Sequence, residues 1–279
     1  MKHDDEHDRG LSYDLQTLAQ RTRSRRAVLK WIGGAGLFAF VSGCIDRTVD
    51  EMGVDASTDD AGSGSGSGGT CTKIPEETAG PYPGDGSNGP NVLSTSGVVR
   101  SDIRTSFGSL SGTAAGVTLT IKLKLTDASN SCAPLAGYAV YLWHCDREGR
   151  YSLYSSGVTN QNYLRGVQET DDNGEVTFTS IFPACYSGRW PHIHFEVYPS
   201  AAAATSSANK IATSQLALPK SACDEVYATT GYSASVSNLA SVSLSSDNVF
   251  SDGSSSQLAT VTGSTSAGYT ASLDVAVNG

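Results

Sequence analysis

From residue 117 the chain reads VTLTIKLKLTD, with Val117, Leu119, Ile121, Leu123 and Leu125 alternating with Thr and Lys. A period of two sends successive side chains to opposite faces, so this is a strand with one buried face that needs a second layer to cover it. Comparable runs recur at 137–145, 174–181, 192–198, 212–218, 241–246 and 269–277, separated by Gly, Asn, Asp and Ser clusters. No long 3.6-residue periodicity and no strand–helix alternation interrupts them, which argues against a parallel α/β sheet. The expected fold class is all-β, an antiparallel two-sheet β-sandwich over residues 71–279. DDNG at 171–174 reads as a tight turn between strands, and 83–97 and 154–168 read as long ordered loops of the kind that carry function.

The chain ahead of this domain has a different character. Residues 24–43, SRRAVLKWIGGAGLFAFVSG, place Arg25 and Arg26 before an apolar run too short to span a bilayer, the layout of an export signal. The SRRAVLK core resembles a twin-arginine motif, and VSGC resembles a lipobox whose Cys44 would become the lipidated N-terminus. Residues 44–70 are acidic and then Gly/Ser-rich, a composition that buries too little apolar surface to order itself and serves as a tether. The expectation is a signal peptide over 1–43, a linker over 44–70 and an exported bacterial cell-envelope domain held to a membrane by its lipid alone.

The formal net charge is −9, and because residues 1–43 carry seven Lys/Arg and five Asp/Glu, the chain from Cys44 onward stands at −11. Phosphate binding needs a basic surface, so nucleic acid is excluded as a partner class. Setting Cys44 aside leaves Cys71, Cys132, Cys145, Cys185 and Cys223, and in an oxidising compartment two disulfides and one spare thiol are the simple expectation, with the pairing left open.

RWPHIHFEVY at 189–198 carries the chemistry. On a strand His192 and His194 share a face while Ile193, Phe195 and Val197 point into the core, and two adjacent imidazoles suit cis ligation of one metal ion. H-x-H also occurs on plain polar strand faces. Of five histidines, however, just His144, His192 and His194 lie beyond the N-terminal segment, and no Cys-x-x-Cys or His-Glu-x-x-His supplies further ligands. Close by stand Tyr186 and, in EGRYSLY, Tyr151. Phenolate is a hard anionic oxygen donor, so two tyrosines with two histidines suit ferric iron better than zinc or Cu(I). For any single one of the twelve tyrosines, a core or loop role remains the ordinary alternative.

The ordered run PEETAGPYP, VVRSDIR, CAPLAGYAVYLWHCDREGRYSLY and YLRGVQETDDNGEVTFTSIFPACYSGRWPHIHFEVY resembles the intradiol ring-cleavage dioxygenases, in particular the exported single-domain branch related to the protocatechuate 3,4-dioxygenase β-chain. The resemblance covers roughly residues 71–230. It implies a non-haem Fe(3+) held by Tyr151 and His192 as equatorial ligands and by Tyr186 and His194 as axial ones. It further implies an aromatic diol bound as its dianion in place of Tyr186, whose phenolate takes a substrate proton, and insertion of both atoms of O2 between the hydroxyl-bearing carbons. The product would be a muconate-type diacid. Arg189 matches the active-site arginine that stabilises carbanion character on the ring, its alternative role being a surface salt bridge. Gly80, Pro81 and Tyr82 match a segment lining the substrate mouth. Arg165 and Gln168 fall in a loop that in the family approaches the metal, and Trp143 and His144 fall on the strand leading to the first tyrosine.

Departures from the family pattern accompany these matches. PACY stands where Pro-Gly-aromatic-Tyr is common and places Cys185 beside a ligand, where a disulfide would stiffen the loop and a free thiol would be open to oxidation. The helical dimerisation segment of the soluble enzymes is missing, so a homodimer is left open. The tail after Ala228 is Ser/Gly-rich and dissimilar, so substrate choice does not transfer. Two other classes stay open on sequence: a lipid-anchored sandwich that binds an aromatic or a carbohydrate without catalysis, and a copper-binding surface protein using His192 and His194 alone.

Overall fold

The computed structural model describes residues 71–279. The export signal, Cys44 and the linker expected over 1–70 lie outside the described residues. The alternating run at 117 forms β1 (Thr118–Asp127), followed by β2 (Ala133–Pro134), β3 (Ala139–Trp143), β4 (Arg165–Glu169), β5 (Glu175–Ile181), β6 (His192–Tyr198), β7 (Ala212–Ala217), β8 (Thr260–Ser264) and β9 (Gly268–Val277). Two short helices intervene, α1 (Lys220–Tyr227) and α2 (Ser233–Ala240).

The strands make two sheets. In the first, β1 pairs with β5 and β2 along one edge and with β9 along the other, and β8 closes on β9. The second runs β4-β3-β6-β7, antiparallel throughout. The expectation of a wholly antiparallel sandwich needs one correction, since β1 and β9 run parallel, Leu119 opposite Tyr269 through Asp127 opposite Val277.

Leu119, Ile121, Leu123 and Leu125 of β1 meet Val140, Leu142, Ile193, Phe195 and Val197 of the second sheet in the main core. At about 25 cal/mol per Å2 of apolar area removed from water, this inter-sheet layer dominates the stability. The second sheet is covered on its other face too, where Tyr141, Trp143, Val167 and Tyr198 pack under Val92, Leu93, Val98, Phe107 and Tyr151. Its strands β3, β6 and β7 are therefore buried at every position, polar ones included. A histidine pair on such a face lies beneath loops and not in water.

Three local expectations are corrected. Residues 241–246 form turns following α2 and no strand, because SVSLSS leaves Val242 and Leu244 as partial contacts on the core edge. The 154–168 loop ends early, since Arg165–Glu169 is β4 on the edge of the second sheet. Cysteine pairing is also simpler than expected: Cys71–Cys132 is the disulfide among the described residues, and Cys145, Cys185 and Cys223 are free and buried.

Candidate metal centre

β6 projects His192 and His194 from the loop-covered face of the second sheet, with Trp143 of β3 and Gln215 of β7 directly opposite His194. The peptide before the strand sets the first ring: His192 Nδ1 lies 2.5 Å from the Trp190 carbonyl, to which it donates, so Nε2 keeps its lone pair. His194 stacks on Trp143 with ring centroids 4.9 Å apart and planes within 5°. Its Nδ1 is buried without a hydrogen-bond partner, so among the described residues no acceptor fixes its tautomer.

Two loops bring the phenols. Tyr151 follows the turn after β3, where Asp146 accepts from the backbone N–H of Glu148 and Arg150, and Tyr186 follows β5. His192 Nε2 stands 3.4 Å from Tyr151 Oη, 3.2 Å from Tyr186 Oη and 3.1 Å from His194 Nε2. Ligands in cis positions at bonds of about 2.0–2.1 Å are separated by about 3 Å, so this spacing suits donors to one ion. No group of three or more His, Cys, Asp or Glu forms a metal site among the described residues. Two of the four donors that converge here are tyrosines.

Electrostatics agree with the geometry. Burial holds both imidazoles well below their ordinary range, neutral and able to donate lone pairs. Burial also pushes both phenols upward, Tyr151 further through its neighbour Tyr186, while Arg189 pulls Tyr186 back. A dry pocket of neutral O and N donors gains from a cation, which would convert the phenols to phenolates. The residues present thus fit a hard ferric ion, the oxygen-rich set being the wrong one for Cu(I).

Arg189 is buried, not a surface residue. Its Nε donates to Asp247 Oδ2 at 2.9 Å, one Nη donates to Gln215 Oε1 at 2.7 Å, and the other lies 3.5 Å from His192 Nε2. Gly80 comes close to His194, at φ +69°, and a Cβ there would sit 3.3 Å from the ring carbon Cε1. Tyr82 packs its ring 5.0 Å from Tyr151 and 5.2 Å from Tyr154. Pro81 is exposed at the rim, its carbonyl accepting from Asn88.

Two expected contacts are placed elsewhere. Arg165 is buried and fully engaged, donating to the carbonyls of Tyr82, Pro83 and Ser152, to Ser152 Oγ and to Tyr141 Oη. It ties the 82–84 segment to the 151–153 loop. Gln168 sits opposite Val140, on the sheet face away from the histidines. His144 is no ligand: its nitrogens bond the Cys145 carbonyl at 2.8 Å and Ser180 Oγ at 2.7 Å. Cys185 is a free thiol donating to the Arg189 carbonyl, and burial pushes it up to about 12, which leaves it protonated and unreactive. A recess of about 480 Å3 beside Arg147, Thr229 and Ser266 contains none of these residues.

Sequence reasoning missed Gln215 and Asp247. Gln215 carried a weak signal, the one long polar side chain in a strand of otherwise small or apolar residues. Asp247, in a Ser-rich run, carried none.

The family model Dioxygenase_C, described as dioxygenase, matches residues 89–216 and so spans both tyrosines, both histidines, Arg189 and Gln215. An intradiol ring-cleavage dioxygenase from Tetranychus urticae shares the fold with a TM-score of 0.58 at 25% identity, over 75% of this chain and 95% of that one. A second dioxygenase crystal structure gives 0.57 at 24% identity with the same coverage. The chlorocatechol 1,2-dioxygenase of Rhodococcus opacus is 34% identical over 56 residues, 20% of this chain, and the matched stretch spans 22% of that relative. The donor set and the arginine lie inside the matched region, and over that stretch the chain is similar to dioxygenases, intradiol ring-cleavage enzymes among them.

Proposed function

We propose that this protein is a non-haem Fe(III) dioxygenase that opens a catechol-type ring between its two hydroxyl-bearing carbons and yields a muconate-type diacid. The observation carrying this reading is the convergence of Tyr151 Oη, Tyr186 Oη and His194 Nε2 within 3.4 Å of His192 Nε2, with an Arg189 nitrogen at the same point. All four donors come from one chain, so a second copy is not required to build the centre.

Tyr151, Tyr186, His192 and His194 would hold a ferric ion, which would supply Lewis acidity that makes the bound diol ring susceptible to O2. The residues do the rest. Tyr186 is the less buried of the two phenols, so as a phenolate it would be the base that accepts a substrate hydroxyl proton at Oη. Tyr151 lies buried beneath Tyr82. The Arg189 nitrogen facing the cluster places a cation against negative charge that grows on the ring as O2 attacks. Tyr82, Tyr154 and Trp143 keep water from the site. The diacid retains every atom of the catechol and both atoms of O2, so no leaving group has to be accommodated.

An N-terminal signal with a lipidated Cys44 would place this activity in the cell envelope, loaded with iron before a twin-arginine route carries it out folded. The motif SRRAVLK and the lipobox-like VSGC support that location.

The test is an optical spectrum of the iron-loaded full chain, before and after catechol under nitrogen, followed by oxygen uptake. A phenolate-to-iron charge-transfer band that shifts with catechol, then one O2 consumed per catechol, is the expected result. Tyr186→Phe should weaken the band and slow turnover. A protein that stays colourless after ferric loading, or binds catechol and consumes no oxygen, would leave a binding module.

A further inference from the structure

The segment after α2 runs through turns into a short 3-10 turn at Phe250–Asp252, beyond the 89–216 stretch matched by the family model. It delivers one carboxylate to the edge of the metal cluster. Asp247 is 0% exposed and uses both oxygens. Oδ1 accepts from the backbone N–H of Val249 at 2.8 Å and Phe250 at 3.2 Å, which fixes the carboxylate on its own loop. Oδ2 accepts from Arg189 Nε at 2.9 Å and from the Trp190 backbone N–H at 2.6 Å.

Both Oδ2 contacts lead into the site. A guanidinium is planar, so holding Nε on Asp247 and one Nη on Gln215 Oε1 leaves a single orientation, with the remaining Nη toward His192 Nε2. Trp190, whose N–H is held by the same oxygen, offers its carbonyl to His192 Nδ1–H and thereby fixes that ring and its tautomer. We propose that Asp247 is a positioning residue for the reaction, a carboxylate from the Ser-rich tail that aims the Arg189 cation and the His192 ligand together. Its kinetic consequence rests on the dioxygenase reading above, but its geometry does not.

Asp247→Asn presents an amide N–H2 or a weaker acceptor to two N–H donors, so it should release the arginine. The first readout is nitrogen NMR of the metal-free full chain. The Arg189 Nε–H should exchange slowly with solvent in the wild type and rapidly in Asp247→Asn. The second is steady-state oxygen uptake with catechol at equal iron content. There kcat should fall about 10- to 100-fold, the cost typical of removing a ligand's supporting hydrogen bond, with KM within about threefold. In an Arg189→Gln background the same substitution should cost clearly less than in the wild type, because the arm through Arg189 is already gone and that through Trp190 and His192 remains. Asp247→Glu, which retains the charge, should recover part of the loss.

Solvent-rate exchange of Arg189 Nε–H in the wild type would overturn the proposal without any variant, even if Asp247→Asn fails to fold. So would full turnover per iron in Asp247→Asn, or a loss that multiplies unchanged with Arg189→Gln. A wild type that consumes no oxygen would sink the dioxygenase reading while the exchange measurement still decided the positioning.

Discussion

His144 shows how much depends on which side of a strand end an imidazole falls. It follows β3 closely, yet both nitrogens are used internally: Nδ1 must donate to the Cys145 carbonyl, so Nε2 accepts from Ser180 Oγ, and the ring is neutral. Burial holds it at about 4, against an ordinary histidine value near 6.5. Below that ordinary value the unfolded chain takes up a proton that the folded chain refuses, so stability present at neutral pH is lost as pH falls from 6.5 toward 4. The loss from this one group is up to about 3 kcal/mol. His144→Gln can donate and accept in the same places without titrating. Urea unfolding midpoints from pH 4 to 7 should therefore fall less steeply with acid in the variant, and identical slopes would show that the acid sensitivity arises elsewhere. That His144 lies on the strand leading to Tyr151 and not among the ligands was legible in the sequence, but its partners were not, because Ser180 comes from a strand thirty-six residues away.

At the scale of elements, the site is a sheet face roofed by loops, and the sheet was far easier to read than the roof. Alternation revealed β1, β6 and β9 closely because a buried face imposes a period of two over many residues. β4 escaped notice since its apolar content is one valine, and its partner-facing arginine is buried by hydrogen bonds that no local pattern announces. The histidine pair and both tyrosines were visible as residue types, whereas Gln215 and Asp247 depend on strand order and tail path. Arg165 illustrates the consequence. Its five hydrogen bonds clamp the 82–84 segment, where Gly84 at φ +66° lies so close that a Cβ would sit 2.8 Å from the guanidinium. Arg165→Met strands the Tyr82 and Ser152 carbonyls, while Pro83 keeps its bond from Tyr141 Oη; at about 1–3 kcal/mol each, stability should drop by roughly 2 kcal/mol or more and iron should bind less tightly as Tyr82 loosens from Tyr151. Chemical denaturation and iron titration check this. A raised KM with unchanged stability would instead make Arg165 a substrate contact.

Taken whole, the described chain includes a long stretch, 71–117, with neither strand nor helix of its own, held by isolated bridges and by single bonds such as Ile74 N–H to the Ala276 carbonyl and Glu77 N–H to the Thr213 carbonyl. That stretch carries Gly80 to His194 and Tyr82 to Tyr151, so its anchorage matters to the candidate site. The Cys71–Cys132 disulfide fastens its start to the β1–β2 turn across 61 residues. Closing a loop of that length restricts the unfolded chain by about 4 kcal/mol in the chain-entropy account. For a domain of this size that corresponds to roughly 8–16 °C in melting temperature. Reduction and the paired substitutions Cys71→Ser and Cys132→Ser should lower the melting point alike, because the buried Cys145, Cys185 and Cys223 are thiols in either state. An unchanged melting temperature would mean the stretch is held by its packing alone. Thiol counting in the unfolded, unreduced full chain tests the pairing directly and the export reading with it. Six cysteines less one disulfide leave four reactive thiols, and three if the Cys44 sulfur carries lipid. Six reactive thiols in protein taken from its native compartment would put the chain in a reducing environment and remove both the staple and the envelope location.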